Sequence, residues 1–338
     1  MYNVYRKLPF IFKKEGVYLR ILFDFDGTIF NSYPNIVKNI YREVKDERKH
    51  IISEEEVYRL VKVNAKFAMD MLEFDDEQRK RVYDAQYEVI PELNQPFAHI
   101  KTVLEYAEKN VIMTHKSEAA VKEILNFYNM AHYFDEIVTK DSGFPKKPNP
   151  DSYTYLHNKY QIDLVIGDRQ IDLIPGKHLG ITTCSYQNHL PDADYYIDDY
   201  SNFPLVVLGM KYGVKSHSQK QPELNDEWLR NYFSKEDEAY KETVELAEKS
   251  KDTTVAYLYK IGASPKVKRS GNVYIDSALY AMEHGFEASV VKTIILHGLE
   301  TARDTNKVVE VYELFKRFIT DYVEERIKTF NKGFRVRA

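Results

Sequence analysis

Two carboxylates one residue apart, in Asp24-Phe25-Asp26-Gly27-Thr28, close the apolar run Val17 to Phe23. An acidic side chain at the carboxyl end of a buried strand, followed by a glycine turn, stands where open α/β sheets place their ligands. The pentapeptide therefore proposes a reaction centre. Calcium loops and plain tight turns begin with the same residue types. The calcium loop fails here: Phe30 holds its seventh place, Asn35 stands where the closing glutamate belongs, and the preceding residues read as strand. On these five residues alone, a turn without chemistry remains an equal alternative.

Three later segments change that balance. Val111-Ile112-Met113 ends in Thr114, Lys147 opens Lys147-Pro148-Asn149-Pro150, and Leu164-Val165-Ile166-Gly167-Asp168 is followed by Asp172 four residues on. In this order and with these gaps, the four segments resemble the motifs of a haloacid dehalogenase superfamily phosphatase. The likeness extends to Asn31-Ser32-Tyr33-Pro34, to Ser142-Gly143-Phe144 and to Pro175 through Ile181, and covers roughly residues 17 to 208. It is greatest for the phosphoglycolate phosphatase and β-phosphoglucomutase branch.

That resemblance implies a fold and a set of roles. The fold is a Rossmann-like, doubly wound parallel α/β sheet with a helical cap inserted after the first strand. Asp24 is the implied nucleophile, forming an aspartyl-phosphate, and Asp26 the proton carrier for the leaving group and the attacking water. Two carboxylates so close ask for a cation, expected to be Mg²⁺. Its implied ligands are the side chains of Asp24 and Asp168 and the carbonyl of Asp26, with Asp172 behind them or acting through water. Thr114 and Lys147 would bind the phosphate. Lys146 competes for that place, and Lys147 is preferred because the family's lysine immediately precedes proline. Thr28 is expected to order the turn, and Arg169 to form a surface ion pair.

Phosphate monoesters resist hydrolysis so strongly that enzymes accelerate it up to ~10²¹-fold, and the transition state asks mainly for charge neutralisation and positioning. The expected activity is hydrolysis of a small phosphorylated metabolite of the phosphoglycolate, sugar-phosphate or nucleotide type. A phosphomutase sharing the intermediate is the alternative, as is a regulatory or binding protein, including a nucleic-acid-end phosphatase, in which a C-terminal region carries the specific role. The sequence holds no phosphate-binding Gly-x-x-x-x-Gly-Lys-Ser/Thr loop, no dinucleotide fingerprint and no His-Glu-x-x-His zinc pattern.

With 43% hydrophobic and 30% charged residues, a formal charge of −4 and one cysteine, the 338 residues read as globular and multidomain. Neither nucleic acid nor an anionic membrane is attracted in bulk. Lone Cys184 and the lack of an apolar run near 18 residues point to the cytoplasm.

Core strands are expected at Val17 to Phe23, Val111 to Met113, Ile137 to Thr139, Leu164 to Gly167, Ile181 to Cys184 and Tyr195 to Ile197. Residues 1–30 and 96–208 form the expected core, with 1–16 as an arm, and 31–95 the cap, hinged near Ser32 to Pro34 and Pro91 to Pro96. Lys62 and Lys66 are the cap cations that could face the substrate, a solvated surface position being the commoner place for a lysine. Residues 209–222 read as a linker and 223–338 as an all-α domain. Its expected features are an N-cap pair at Ser234 and Asp237, a stripe through Ile275, Leu279 and Met282 ended by Gly285, another from Val290 to Leu299, and a last one from Val308 to Tyr322. Lys266, Lys268, Arg269, Arg326, Lys328, Lys332, Arg335 and Arg337 are candidates for phosphate backbones, but interleaved acids favour a solvated face, a protein partner or self-association.

Overall fold

The computed structural model describes residues 19–87, 90–216, 221–301 and 306–334. The expected arm at 1–16, Val17, Arg335 and Arg337 lie outside them, as do 217–220 of the expected linker. The chain divides into two compact units, the first being Tyr18–Asp198. Among the described residues, no helix is long and apolar enough to cross a membrane.

In the first unit, β1 (Arg20–Phe23) and β2 (Phe30–Asn31) precede α1 (Tyr33–Arg42), α2 (Glu54–Val63), α3 (Ala65–Met71) and α4 (Asp76–Tyr87). Then come β3 (Gln95–Pro96), α5 (Ile100–Tyr106), β4 (Lys109–Met113), α6 (Glu118–Phe127), β5 (Glu136–Val138), α7 (Asp151–Tyr160), β6 (Leu164–Gly167), α8 (Gln170–His178), β7 (Thr182–Tyr186) and β8 (Tyr195–Ile197). The main sheet runs β5-β4-β1-β6-β7-β8 with every pairing parallel.

Its central strand is buried on both faces, with Ile21, Leu22 and Phe23 wholly enclosed, which explains why β1 after Arg20 reads as consecutive apolar residues and not as an alternation. Phe23 is in register with Ile112 on one side and Ile166 on the other. The chain passes from β1 to β4 in one direction and from β5 back across to β6 in the other, so the carboxyl ends of β1, β4 and β6 flank the switch point where such sheets bind ligands. The six expected core strands are all present, each displaced by no more than a few residues. Two short strands escaped the sequence pattern: β2 and β3 pair antiparallel, Phe30 with Pro96 and Asn31 with Gln95. Two residues are too few to show a period, yet this ribbon joins both ends of the helical insert. The insert has its own apolar core, including Val37, Ile40, Val57, Val61, Met69 and Phe74. Its helix α2 starts on a reciprocal Ser53–Glu56 capping box.

The second unit takes the chain from Asp199 onward: α9 (Phe203–Tyr212), α10 (Asp226–Leu229), α11 (Glu238–Lys249), α12 (Thr253–Leu258), α13 (Val273–Glu283), α14 (Ala288–Thr301), α15 (Asn306–Lys316) and α16 (Asp321–Phe334). The division lies ahead of residue 208, and α9 continues past Gly209, because Leu208 and Val214 join the buried cluster of this unit. Ile275, Leu279 and Met282, and Val290, Val291, Ile294, Ile295 and Leu299, are buried in that cluster as their spacing predicts. Asp237 does bond the Ser234 N–H at 2.8 Å, but the carboxylate is spent on that backward bond and α11 opens three residues later than expected. The last stripe is split between α15 and α16, and Tyr322 is 64% exposed.

Packing at Gly262 is the tightest test of this unit. A Cβ there would lie 2.1 Å from the Val273 carbonyl oxygen and 2.6 Å from the Ser277 nitrogen, backbone atoms that cannot rotate aside. Gly262→Ala should destabilise the protein by about 1–3 kcal/mol, read as a lower urea midpoint; an unchanged midpoint would show that the backbone yields.

Candidate active site

Asp24 directly follows β1, and its N–H donates to the Ile166 carbonyl of β6 at 3.0 Å. The carbonyl of Phe25 then accepts from Ile29 at 3.0 Å and Phe30 at 3.1 Å, turning the chain tightly. Gly27 takes a φ of +79°, and a Cβ there would come 2.1 Å from the Tyr33 ring and 2.8 Å from Asp168 Oδ2. Only glycine meets both demands.

The residues singled out by the motifs converge. Asp24, Thr114, Lys147, Asp168 and Asp172 are all buried, and the three carboxylates bring oxygens within 4.8 Å of one another. Lys147 Nζ lies 2.5 Å from Asp24 Oδ1, 2.5 Å from Asp172 Oδ1 and 3.2 Å from the Met113 carbonyl that ends β4. Its neighbour Lys146 is exposed, so Lys147 is the lysine that joins the cluster. Asp172 also accepts the Arg169 N–H at 3.1 Å and faces Arg169 Nε at 3.4 Å. Arg169 therefore pairs with an acid as expected, but within the cluster and not on the surface.

Asp26 stands apart, partly exposed, with Lys116 Nζ at 2.9 Å. Thr28 does more than order its turn, since its hydroxyl donates to Asp168 Oδ1 at 3.3 Å. Asp168 Oδ2 accepts from the Tyr33 hydroxyl at 2.8 Å and from Lys62 Nζ at 2.7 Å. Lys62 thus reaches the sheet from α2, whereas Lys66 pairs with Asp70 and stays largely in solvent.

Burial and the neighbouring Asp172 push the Asp24 carboxyl up to about 7, against the pull of Lys147. Asp168 is also raised by burial, partly offset by Lys62. For Asp172 burial is outweighed by Lys147 and Arg169, which hold it below the usual carboxylate range. Lys147 is buried too, yet its two carboxylates keep it well above the ordinary lysine value. Burial opposes ionisation of Asp26, but Lys116 brings it net downward. His115 is lowered to about 4 by burial and then by Lys147, and as a neutral ring it accepts the Lys147 N–H at 2.8 Å.

Over this cluster lies a cavity of about 580 Å³. The core side contributes Asp26, Thr114, Lys116, Lys147 and Arg169, and the helical insert Tyr33, Val61 and Lys66. Sequence reasoning missed Tyr33, His115 and Lys116. Tyr33 lies within the segment Asn31 to Pro34, and His115 and Lys116 one and two residues after Thr114, but a phenol, an imidazole or an ammonium in or beside a motif carries no signal of where it points.

One atom tests whether a cation suits the site. Asp24 Oδ2 is buried and has no hydrogen-bond partner among the described residues. A buried carboxylate oxygen is costly without one, and an all-oxygen set with two further carboxylates beside it is the donor type a hard divalent ion takes. The residues fit Mg²⁺.

Residues 21–186 match the family model described as haloacid dehalogenase-like hydrolase. A phosphoglycolate phosphatase of Vibrio cholerae is 26% identical over 217 residues, which are 56% of this chain and 96% of that protein. The pyrophosphatase PpaX of Anoxybacillus flavithermus is 23% identical over 56% of this chain and 96% of its own length. A solved HAD-superfamily hydrolase of subfamily IA from Geobacter sulfurreducens is 17% identical with a TM-score of 0.45, over 56% of this chain and 100% of that one. Residues 21–186 form a haloacid dehalogenase-like hydrolase region, and the enzyme class they give the protein is that of a phosphatase.

The raised Asp24 has a consequence for stability. Between its ordinary value of 3.8 and its folded value of about 7, the folded protein binds a proton that the unfolded chain has lost, so this group's contribution worsens as pH rises through that window. Asp24→Asn removes the titration. In chelator-treated protein, the melting temperature of the variant relative to wild type should rise by a few degrees from pH 5 to pH 8, measured by thermal unfolding. A pH-independent difference would contradict the assignment.

Proposed function

We propose that this protein is a Mg²⁺-dependent phosphatase that hydrolyses a small phosphorylated metabolite through an aspartyl-phosphate on Asp24. The reading rests above all on the buried cluster in which Lys147 fixes one oxygen of Asp24 while the other, Oδ2, has no hydrogen-bond partner among the described residues. An oriented carboxylate beside a cation-lined cavity is suited to attack on phosphorus. Mg²⁺ held by Asp24, Asp168 and the Asp26 carbonyl would neutralise charge on the phosphoryl group. Asp172, with one oxygen on Lys147 and the other on Arg169, is occupied in holding those cations and stands behind.

In the first step an Asp24 oxygen bonds to phosphorus as the ester bond breaks, and the departing oxygen takes a proton from Asp26. In the second, Asp26 takes a proton from water as that water attacks the aspartyl-phosphate, releasing phosphate and restoring Asp24. Before substrate arrives, Lys116 holds Asp26 as a carboxylate. An incoming phosphate dianion draws on Lys116 and repels Asp26, and both effects favour the protonated acid that the first step needs. Thr114 Oγ accepts the Lys116 N–H at 3.1 Å, which leaves its own proton for a phosphate oxygen. Lys147 neutralises another.

The cavity wall favours an anionic leaving group. Of the cations lining it, Lys66, Lys116, Lys147 and Arg169 are paired with Asp70, Asp26, Asp24 and Asp172, and Lys146, with no ion-pair partner among the described residues, adds positive charge. A carboxylate or second phosphate on the leaving group would meet this excess, as in phosphoglycolate or a diphosphate, better than a neutral sugar would.

With Mg²⁺, the full chain should release inorganic phosphate from a member of a metabolite panel, and Asp24→Asn should lower kcat by at least ~10³-fold. Isomerised substrate without free phosphate, or full activity in the variant, would overturn the reading. Lys146 has no ion-pair partner among the described residues, so Lys146→Met should raise KM roughly fivefold for an anionic leaving group and leave kcat and neutral-leaving-group substrates unaffected. Equal effects on both substrate types would remove the charge argument.

A further inference from the structure

Asp168 Oδ2 is filled with donors. Asp168 Oδ1 accepts from Thr28, and Oδ2 accepts from both Tyr33 at 2.8 Å and Lys62 at 2.7 Å. Asp24 Oδ2, by contrast, has no hydrogen-bond partner among the described residues. The two oxygens are therefore unequal toward a divalent ion: Asp24 Oδ2 offers a lone pair at once, whereas Asp168 Oδ2 must first give up a donor.

Lys62 is the donor with the most to exchange. It carries a full positive charge, so it and a metal ion compete electrostatically for one carboxylate, which the neutral hydroxyls of Thr28 and Tyr33 do not. It also comes from a different part of the fold. Lys62 is in the last turn of α2, immediately before Asn64 breaks the helix and caps α3 through Phe67 at 2.7 Å. Its ammonium lies 4.4 Å from the Tyr33 ring centroid, and only 16% of its side chain is exposed. The pair is a charged tie between the helical insert and the end of β6.

We propose that Lys62 and a divalent cation compete for Asp168 Oδ2, so that cation binding releases α2 from the sheet and the insert, held in place, weakens cation binding. The inference rests on Asp168 being a cation ligand. Linkage makes the two effects equal in free energy: whatever the tie costs the cation, the cation takes from the tie. Lys62 is then a positioning residue whose released ammonium is free to swing toward the cavity bordered by its neighbours Val61 and Lys66.

Two measurements on the full chain, made without substrate, test this. Mn²⁺ titration read from the spin-resonance signal of the free ion should show Lys62→Met binding about tenfold more tightly than wild type, with Lys62→Arg close to wild type. In wild-type protein, acetylation of Lys62 followed by peptide mass spectrometry should accelerate several-fold on adding Mg²⁺, while Lys66, already 75% exposed, serves as the unchanging control. Equal or weaker Mn²⁺ binding by Lys62→Met, or a Lys62 labelling rate that Mg²⁺ leaves unchanged or slows, overturns the proposal. The labelling arm decides if the variant misfolds. Should wild type and variant both fail to bind Mn²⁺, this proposal and the Mg²⁺ part of the functional reading fall together; should both bind it equally, only this proposal falls.

Discussion

One ammonium holds three elements of the first unit in place. Lys147 Nζ contacts Asp24 after β1, the Met113 carbonyl at the end of β4 and Asp172 on α8. Carboxylates with oxygens within 4.8 Å of one another, buried away from water, repel strongly where the dielectric is low. Without a cation between them, Asp24 and Asp172 could not both be ionised there. Removing one partner from such a buried set costs about 3–5 kcal/mol, because the remaining charges are left uncompensated. The parallel sheet brings the strand ends together, and Lys147 makes their charges tolerable. Its own placement depends on a neutral His115, which accepts the Lys147 N–H.

How much of this was legible follows from what each residue's signal is. The carboxyl-terminal halves of β1, β4 and β6 are apolar because both faces are covered there, so the polar residues that follow them stood out. Asp24, Thr114 and Asp168 were legible as strand ends, Asp172 by its place four residues after Asp168, and Lys147 by its proline. The β2–β3 ribbon was not, being two residues long on each side. Tyr33, Lys62 and Lys116 acquire their meaning from contacts across 135, 106 and 90 residues of chain, and nothing local marks such pairings. Arg169 illustrates the same limit: its acidic partner was foreseeable from spacing, but not the burial of the pair.

The second unit shows the reverse weighting. Helices α13 and α14 bury residues on most of their surface, including Ser277, Thr293 and Lys292, so their packing was legible from apolar spacing while their polar residues were not. Several cations that could have formed a binding face are engaged internally. Lys266 donates to the Asn231 carbonyl at 2.5 Å, Arg269 pairs with Glu283 at 2.6 Å, and Arg326 with Asp252 at 2.6 Å. A charge committed to a neighbour is a poor electrostatic footprint for nucleic acid. The side chain of Lys332 is outside the described residues.

Charge balance also constrains the order in which ligands enter the first unit. Asp24, Asp26, Asp168 and Asp172 are matched by Lys62, Lys116, Lys147 and Arg169, so the site is formally neutral before anything binds. A divalent ion alone would leave it with two uncompensated positive charges in a partly enclosed cavity, and a phosphate dianion alone with two negative ones. Together they restore neutrality. In a low-dielectric pocket each therefore favours the other, and by reciprocity each raises the other's affinity by the same factor. The cations of the cavity wall would favour an anion at the rim, while Oδ2 of Asp24, without a hydrogen-bond partner among the described residues, would favour a metal ion. A site balanced in this way resists filling by either ligand alone, and a phosphorylated substrate then meets a fully assembled set of charges only when the ion is already beside it.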